Sequence, residues 1–353
     1  MEKKEVQFLF KEYAEGDSMI QLNNGRILFY YYTGNRDIYV YSDKTFKKLF
    51  EIDSKSFIPN YDKDTDKFCY KNNIKLIDNG LILIGYSKYL IEVKLFEKTY
   101  DFKIVKQFSD VIIDINELPD KRIIIFTQKN IVILNKENYE YIVKEEYSFK
   151  VKWKRYFALL MDDNDEYVDK YYSSYILPDN RILLNLVSRV YRYNTGYVRR
   201  IMKCFDSKIM VIDLNNFKVI MSTEIFKECV KHIVLENAII IHTYENLIIY
   251  DINTLKIIQQ YKSSSRYNHF HKYDNKYLIG HSNYEQNFNL AIFKFENNEL
   301  IKYCLIESGL FRIIFTWNLY RISASNPFLF VLRDKKIIIF SSNKMYLLLF
   351  RID

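Results

Sequence analysis

Seven times along the chain, one or two apolar residues run into a tight polar turn and out into a stretch of aliphatic and aromatic residues. Leu118-Pro-Asp-Lys-Arg-Ile-Ile-Ile-Phe126 is the clearest copy. The turns fall at Asn24-Gly25, Asn79-Gly80, Asp120-Lys121, Asp179-Asn180, Glu236-Asn237, Asp274-Asn275 and Asp334-Lys335. Asn, Asp or Glu always leads, and Gly or Asn follows in five of the seven, which suits the positive φ of a type I′ hairpin turn. Hairpins recurring at intervals of 38 to 60 residues define a repeat architecture.

A second motif follows the hairpins: a short aliphatic strand, a polar break, and another strand. It reads Ile38-Tyr-Val-Tyr41 then Phe46 to Ile52, and Ile131-Val-Ile-Leu134 then Tyr139 to Val143. It returns at Ile209-Met-Val-Ile212, at Leu247-Ile-Ile-Tyr250 and at Leu290-Ala-Ile-Phe293, each with its following strand. Four antiparallel strands per repeat predict the blades of an all-β, seven-bladed β-propeller. The last repeat has only three strands, at Phe328 to Leu332, Ile337 to Phe340 and Met345 to Phe350. A spare strand, Val6-Gln-Phe-Leu-Phe10, precedes the first hairpin, and pairing it with the last repeat closes the ring and removes both exposed edges.

A chain of 353 residues exceeds the usual limit for one core, but a propeller escapes it because each blade packs only on its neighbours. Apolar residues make up 49% and aromatics 17%, enough for such a ring of interfaces. Runs such as Ile123-Ile-Ile-Phe126 and Ala238-Ile-Ile-Ile241 are continuous rather than alternating, as in sheets covered on both faces. The start, Met1-Glu-Lys-Lys-Glu-Val6, has no apolar segment behind its basic residues, and no apolar run approaches the roughly 20 residues of a membrane span. Cys69, Cys204, Cys229 and Cys304 lie far apart without metal or disulfide spacing. A cytoplasmic or nuclear protein with reduced thiols is expected.

The expected blades cover about 18–53, 74–108, 111–149, 174–226, 230–261, 267–306 and 328–353 with 5–13, in one domain over 1–353. Long segments lie only between blades (54–73, 150–173, 307–326) or between second and third strands (188–205, 281–289). In an up-and-down blade those connections emerge on one side of the disc. That face is elaborated while the other is trimmed, and binding concentrates on elaborated loops carried by a rigid scaffold.

The layout resembles a divergent WD40-like seven-bladed propeller over essentially the whole chain. Third strands ending Ile212-Asp213 and Tyr250-Asp251 look like the position where WD40 repeats carry Trp-Asp. Neither Trp153 nor Trp317 is followed by Asp, and Gly280-His281 follows a second strand instead of preceding a first one. Kelch-type Gly-Gly doublets and the sialidase Asp box are absent from the sequence. The resemblance implies an interaction scaffold and points to no specific functional family.

The strongest local oddity is Arg181 to Phe205, where second and third strands run past the blade to a turn at Asn194-Thr195-Gly196. The projecting ribbon carries Arg189, Arg192, Arg199, Arg200 and Lys203 among Tyr191, Tyr193 and Tyr197. Lys150, Lys152, Trp153, Lys154 and Arg155 lie on the preceding connector at the same face. Cations interleaved with aromatics suit phosphate contacts with stacking, so RNA, DNA or anionic lipid is an alternative partner. The blander reading is a solvated hairpin in a protein of net charge +8. Val198-Arg-Arg-Ile201 lacks the Phe and Gly of the Phe-Arg-Arg-Gly phosphoinositide motif. Asp62-Lys-Asp-Thr-Asp66 lacks the Gly and closing Glu of a calcium loop, and Asp162-Asp-Asn-Asp-Glu166 reads as an acidic loop beside the cations. His269, His271 and His281 have no metal-ligand spacing. No nucleophile elbow, phosphate loop or zincin helix is present, so no catalytic residue, metal or cofactor is expected. The expectation is a non-catalytic protein–protein scaffold in a larger assembly; an enzyme with a pocket at the channel mouth is a further alternative.

Overall fold

The computed structural model describes residues 7–13, 18–30, 37–57, 73–77, 81–127, 130–146, 165–177, 179–193, 200–223, 231–243, 246–262, 269–282, 289–306, 328–331, 337–341 and 344–349. The chain opens with β1 (Gln7–Tyr13). Consecutive strands then form four-stranded antiparallel sheets. The first is β2 to β5 (Ser18–Gln21, Arg26–Tyr30, Ile38–Ser42, Lys48–Ile52), and the second β6 to β9 (Asn73–Ile77, Leu81–Tyr86, Tyr89–Leu95, Tyr100–Gln107). The third is β10 to β13 (Ile112–Glu117, Ile123–Thr127, Asn130–Leu134, Tyr141–Glu146), and the fourth β14 to β17 (Asp165–Leu177, Arg181–Tyr193, Arg200–Asp213, Lys218–Ser222). The fifth is β18 to β21 (Lys231–Val234, Ala238–His242, Asn246–Asp251, Ile257–Lys262), and the sixth β22 to β25 (His269–Lys272, Tyr277–Ser282, Asn289–Glu296, Glu299–Ile306). In a further sheet β26 (Phe328–Val331), β27 (Ile337–Ser341) and β28 (Lys344–Leu349) are joined by β1, which pairs antiparallel with β28 from Gln7↔Leu349 to Tyr13↔Lys344.

The apolar core lies between sheets. On β7, Ile82, Ile84 and Tyr86 pack towards the first sheet with Leu28, Ile38 and Val40, while Leu83 packs towards the third with Ile115, Ile123 and Ile125. On β11, Ile123 and Ile125 turn back to the second sheet, and Ile124 and Phe126 turn forward to Ile182 and Ile212 of the fourth. On β19, Ile239 and Ile241 face the fourth sheet, and Ala238 and Ile240 the sixth. Period-2 alternation therefore sends successive side chains into two different interfaces, each of which must be dry. This is why the strands read as unbroken Ile and Leu runs.

First strands line up on one another: β2 lies against β6, β6 against β10, β10 against β14, β18 against β22 and β22 against β26. Fourth strands form the opposite, outer edges and are largely solvated, with Leu49, Ile104, Ile142, Val219, Ile220, Ile257 and Ile301 exposed. Where second strands meet tight packing, glycine is required. A Cβ on Gly85 would sit 2.7 Å from Ile112 Cγ2 of the next sheet.

The expected type I′ turn occurs at Asp179-Asn180, where both residues take positive φ (61° and 55°). The other described first turns differ. At Gly25 (φ 78°) and Lys121 (φ 71°) three residues separate the paired ends, as at Leu177↔Arg181, but only the last of them is left-handed, and the loop is closed by the bonds Leu22 N–H to Arg26 O and Leu118 N–H to Arg122 O. Glu236-Asn237 and Asp274-Asn275 keep ordinary φ. The second is closed by Asp274 Oδ1, which accepts from Lys276 and Tyr277 N–H at 2.8 and 2.9 Å. Asn79-Gly80 and Asp334-Lys335 lie outside the described residues.

Turns between third and fourth strands carry a repeat the sequence reading missed. Phe46, Tyr139, Phe217 and Leu255 all sit at φ of 54° to 57°, four residues after Ser42, Asn135, Asp213 and Asp251. The lead side chain caps the loop: Asn135 Oδ1 accepts from Glu137 N–H, Asp213 Oδ1 from Asn215 N–H, and Asp251 Oδ1 from Asn253 and Thr254 N–H. A left-handed non-glycine residue costs about 1–2 kcal/mol. Burial offsets that cost, since Phe46 and Tyr139 are buried, and Tyr139, Phe217 and Leu255 each pack into the interface with the preceding sheet.

The connector expected at 150–173 is corrected at its end. β14 begins at Asp165, and Asp165 to Ser173 are paired strand residues. This part of β14 lacks the aliphatic run by which strands are recognised in the sequence.

Candidate functional site

Strands of the other sheets have four to eight residues, whereas β14, β15 and β16 have 13, 13 and 14. β14 pairs with β15 from Leu177↔Arg181 out to Asp165↔Arg192, and β15 with β16 from Arg181↔Asp213 out to Tyr193↔Arg200. β17 covers β16 only along Met210 to Asp213. The upper halves of three strands therefore leave the sheet together as an arm. Strand order places it at the end away from the turn at Asp179-Asn180, on the side of the between-sheet connections.

The base of the arm is fixed. Arg181 is buried, and its Nη1 donates to Ile252 O of the fifth sheet at 2.8 Å, with Asp179 3.9 Å from Nη2. Ile182, Leu183 and Leu184 are fully buried, and Ile209, Val211 and Ile212 opposite them likewise.

Of the basic residues expected on a ribbon, Arg189 and Arg192 lie on β15 and Arg200 and Lys203 on β16. The ribbon has a third strand the sequence reading did not foresee, and it brings acidic residues into register: Asp165 opposite Arg192 and Glu166 opposite Tyr191. Arg189 and Arg192 occupy positions of opposite parity on β15, and Lys203 falls in the bulge between Cys204↔Val190 and Met202↔Tyr191. Arg199, Lys152, Trp153, Lys154 and Arg155 lie outside the described residues, as do the acidic run 62–66 and Asp162 to Asn164. His269 and His271 lie on β22, a first strand as expected, with His269 opposite His281. Among the described residues no cluster of His, Cys, Asp or Glu has metal-binding geometry.

A polar cluster lies on the first strands, signalled in the sequence only by the polar residues interrupting Ile112-Ile-Asp-Ile-Asn116. Asp114 Oδ2 accepts from Ser174 N–H at 2.7 Å and Ser174 Oγ–H at 2.6 Å, Oδ1 accepts from Ile115 N–H, and Asn116 Nδ2 donates to Ser174 Oγ. Asp114, Asn116 and Ser174 are buried. Enclosure pushes the nearby His232 down to about 4 against the pull of Asp114, so its imidazole is neutral at physiological pH. The hydroxyl proton of Ser174 is committed to the Asp114 carboxylate, which also accepts from Ser174 and Ile115 N–H. The arrangement clamps the third sheet to the fourth at the root of β14.

A second polar latch joins the second and third sheets. Glu92, buried on β8, accepts from Tyr139 Oη at 2.7 Å and lies 3.2 Å from Lys103 Nζ and 3.7 Å from Lys94 Nζ. Burial pushes its carboxyl up, but the bonds from Tyr139 and Lys103 outweigh it and hold the group below its usual value. Beside it Lys106 Nζ donates to Tyr139 O at 2.5 Å and sits 3.7 Å over the Tyr141 ring. On the short-turn side, a cleft of about 390 Å³ opens between the turns of the fifth and sixth sheets, lined by Glu236, Lys276, Lys294, Phe295 and Glu296 among Asn residues.

No family model matches the chain, and no curated protein resembles it in sequence. Solved structures do resemble it. BBS1N in complex with ARL6DN superposes with a TM-score of 0.55 at 10% identity, covering 99% of this chain and 98% of that one. The C-terminal WD40 domain of Sif2 gives 0.52 at 10% identity, covering 99% of each. The fold is that of a β-propeller, the architecture of a WD40 domain among others. Virginiamycin B lyase from Staphylococcus aureus shares it, with a TM-score of 0.54, 11% identity and coverage of 99% and 100%. At such identities the likeness concerns the backbone. In this frame the first strands are innermost around the propeller axis, and the arm rises from one blade on the face of the inter-blade connections.

Proposed function

We propose that this propeller is a non-catalytic protein–protein interaction scaffold, a subunit of a larger assembly in the cytoplasm or nucleus, with the whole of 1–353 as one domain. The sheets are read as seven blades in a ring closed by β1, whose pairing with β28 supports that closure. Binding is assigned to the face that bears the inter-blade segments and the arm. The observation that carries the reading is the arm itself, three strands of 13, 13 and 14 residues where strands of the other sheets have four to eight. A neighbour of the same fold, BBS1N, is bound to ARL6DN, which fits use of such a ring as a protein platform. The lyase neighbour shares the fold, and no observation transfers its chemistry here.

The test is affinity purification of the full chain from its native cell, with and without residues 187–207 replaced by a short turn. Partners should be lost with the arm and retained when charges are reversed in the short turns at 43–45, 135–138 and 215–216. A partner mapped to the short-turn face would overturn the assignment.

A second reading rests on the density of Arg189, Arg192, Arg199, Arg200 and Lys203 with Lys152, Trp153, Lys154 and Arg155 in the sequence, and makes the arm a site for RNA, DNA or anionic lipid. Each phosphate contact then lowers log affinity by about 0.9 per decade of salt on duplex, or about 0.7 on single strands. Replacing the five arm cations by Gln should abolish binding to RNA, DNA and anionic liposomes. Absence of binding by the unmutated protein at low salt removes this reading.

A further inference from the structure

Among the described residues no strand covers the edge of β16 along the arm, and the end of β17 shows which backbone groups that edge offers. Thr223, just after β17, donates its N–H to Ile209 O at 2.9 Å, and its Oγ1 accepts from Ile209 N–H at 3.0 Å. Both backbone groups of Ile209 therefore point outward, away from β15. Strand alternation then turns the N–H and C=O groups of Ser207 and Phe205 outward too, while Lys208, Asp206 and Cys204 face β15, in register with Leu186, Ser188 and Val190. Among the described residues no strand pairs with this edge from Arg200 to Ser207. Those eight residues span about 26 Å at 3.3 Å per residue. A strand seated there would lie end to end with β17, continuing the line of β17 past Thr223.

The two edges of the arm differ in charge. The β16 edge carries Arg200, Lys203 and Lys208 against one carboxylate, Asp206, whereas the β14 edge carries Asp165, Glu166 and Asp169 against one cation, Lys170. β14 is also the first strand of its sheet, on the side where first strands line up, so the basic β16 edge is the one turned away from that side.

We propose that this edge takes an extended, acidic segment of a protein partner as an added strand of the arm. The proposal rests on the scaffold reading and names its mode of binding: main-chain hydrogen bonds at Phe205 and Ser207 supply the ladder, and the cations select carboxylates on the incoming strand. Edge strands are ordinarily blunted by brevity or coverage. Here the edge is long, and its lysine and arginine repel basic strands while attracting acidic ones.

The test uses the full chain and a fluorescein-labelled eight-residue peptide of alternating Val and Glu, with an alternating Val and Lys peptide as comparator. The Val–Glu peptide should bind and the Val–Lys peptide should bind at least about tenfold more weakly. Ser207→Pro removes one outward N–H and no bond to β15, so it should leave the melting temperature unchanged while weakening the Val–Glu peptide about tenfold. Amide exchange gives an independent readout. Phe205 and Ser207 should exchange fast in the free chain and become protected by the peptide, while Asp206 and Lys208 are protected throughout. Equal binding of the two peptides, an unaffected Ser207→Pro variant, or protection at Phe205 and Ser207 without peptide would each overturn the proposal. Concentration-dependent self-association abolished by Ser207→Pro would also overturn it, in favour of a second copy of this chain. If native partners are lost on removing the arm but kept by Ser207→Pro, the scaffold reading stands and the edge proposal falls.

Discussion

Tyr139→Phe probes how one blade is held to the next. Tyr139 Oη donates to Glu92 Oε2 at 2.7 Å across the interface of the second and third blades, and Glu92 is only 6% exposed. A hydrogen bond to a charged group contributes about 1.5–3 kcal/mol, and its loss here leaves a buried carboxylate oxygen short of a donor. Lys103 at 3.2 Å and Lys94 at 3.7 Å approach the other oxygen from exposed positions and do not replace it. The ring stays, so the left-handed turn and its apolar packing are unchanged. We expect a loss of about 2 kcal/mol at pH 7, read as a lower urea midpoint by far-ultraviolet circular dichroism with the slope unaltered. The sign of the pH dependence follows from Glu92. Its folded-state value is depressed, so the stability it contributes is present above its unfolded value and is lost as pH falls through the folded one. The gap between wild type and variant should therefore narrow from pH 7 to pH 3. A midpoint unchanged at pH 7, or a gap that widens on acidification, would show that the latch does not stabilise the fold in this way.

Gly85→Ala should cost about 1–3 kcal/mol in the same assay, because its Cβ would meet Ile112 Cγ2 at 2.7 Å and Ile115 Cδ1 at 3.2 Å across a packed interface. Lys121→Gly, at an exposed position with φ 71°, should raise stability by about 1 kcal/mol, and a loss would mean that the Lys121 side chain carries a contact outweighing the strain. Deleting residues 1–13 should cost several kcal/mol or cause aggregation by exposing the edge of β28, since each large apolar side chain buried contributes roughly 1.5–3 kcal/mol. A monomeric truncated chain with an unchanged melting temperature would refute the closure.

What was legible in the sequence is what two-sided burial imposes. Ile123-Ile-Ile-Phe126 reads as a strand because every residue on it serves one of two dry interfaces, and the same holds for Ala238-Ile-Ile-Ile241. Turn identity was legible only as polarity. Whether Asn24-Gly25 makes a two- or three-residue loop depends on the register of Leu22 against Arg26, which tertiary packing fixes. The start of β14 was illegible because Asp165 to Ser173 carries no aliphatic run, so a paired strand is written in the composition of a loop. The basic ribbon was found by charge, and its third, acidic strand was missed because charge alone does not reveal register.

The turns between third and fourth strands carry this reasoning furthest. A left-handed residue normally selects Gly or Asn, and by that rule Phe46, Tyr139, Phe217 and Leu255 would be read as ordinary strand residues or as errors. They are tolerated because burial of the side chain, for Tyr139, Phe217 and Leu255 against the preceding sheet, offsets what the left-handed backbone costs, while the Ser, Asn or Asp four residues earlier holds the loop in the required shape. The Asp of Ile212-Asp213 and Tyr250-Asp251, which in the sequence looks like the Asp of a Trp-Asp pair, serves in this fold as a turn cap. That role asks nothing of the residue before it. Where the turn is anchored by an aromatic or leucine at the left-handed position, the third strand can end in Ile or Tyr, and the repeat holds its geometry without a Trp there.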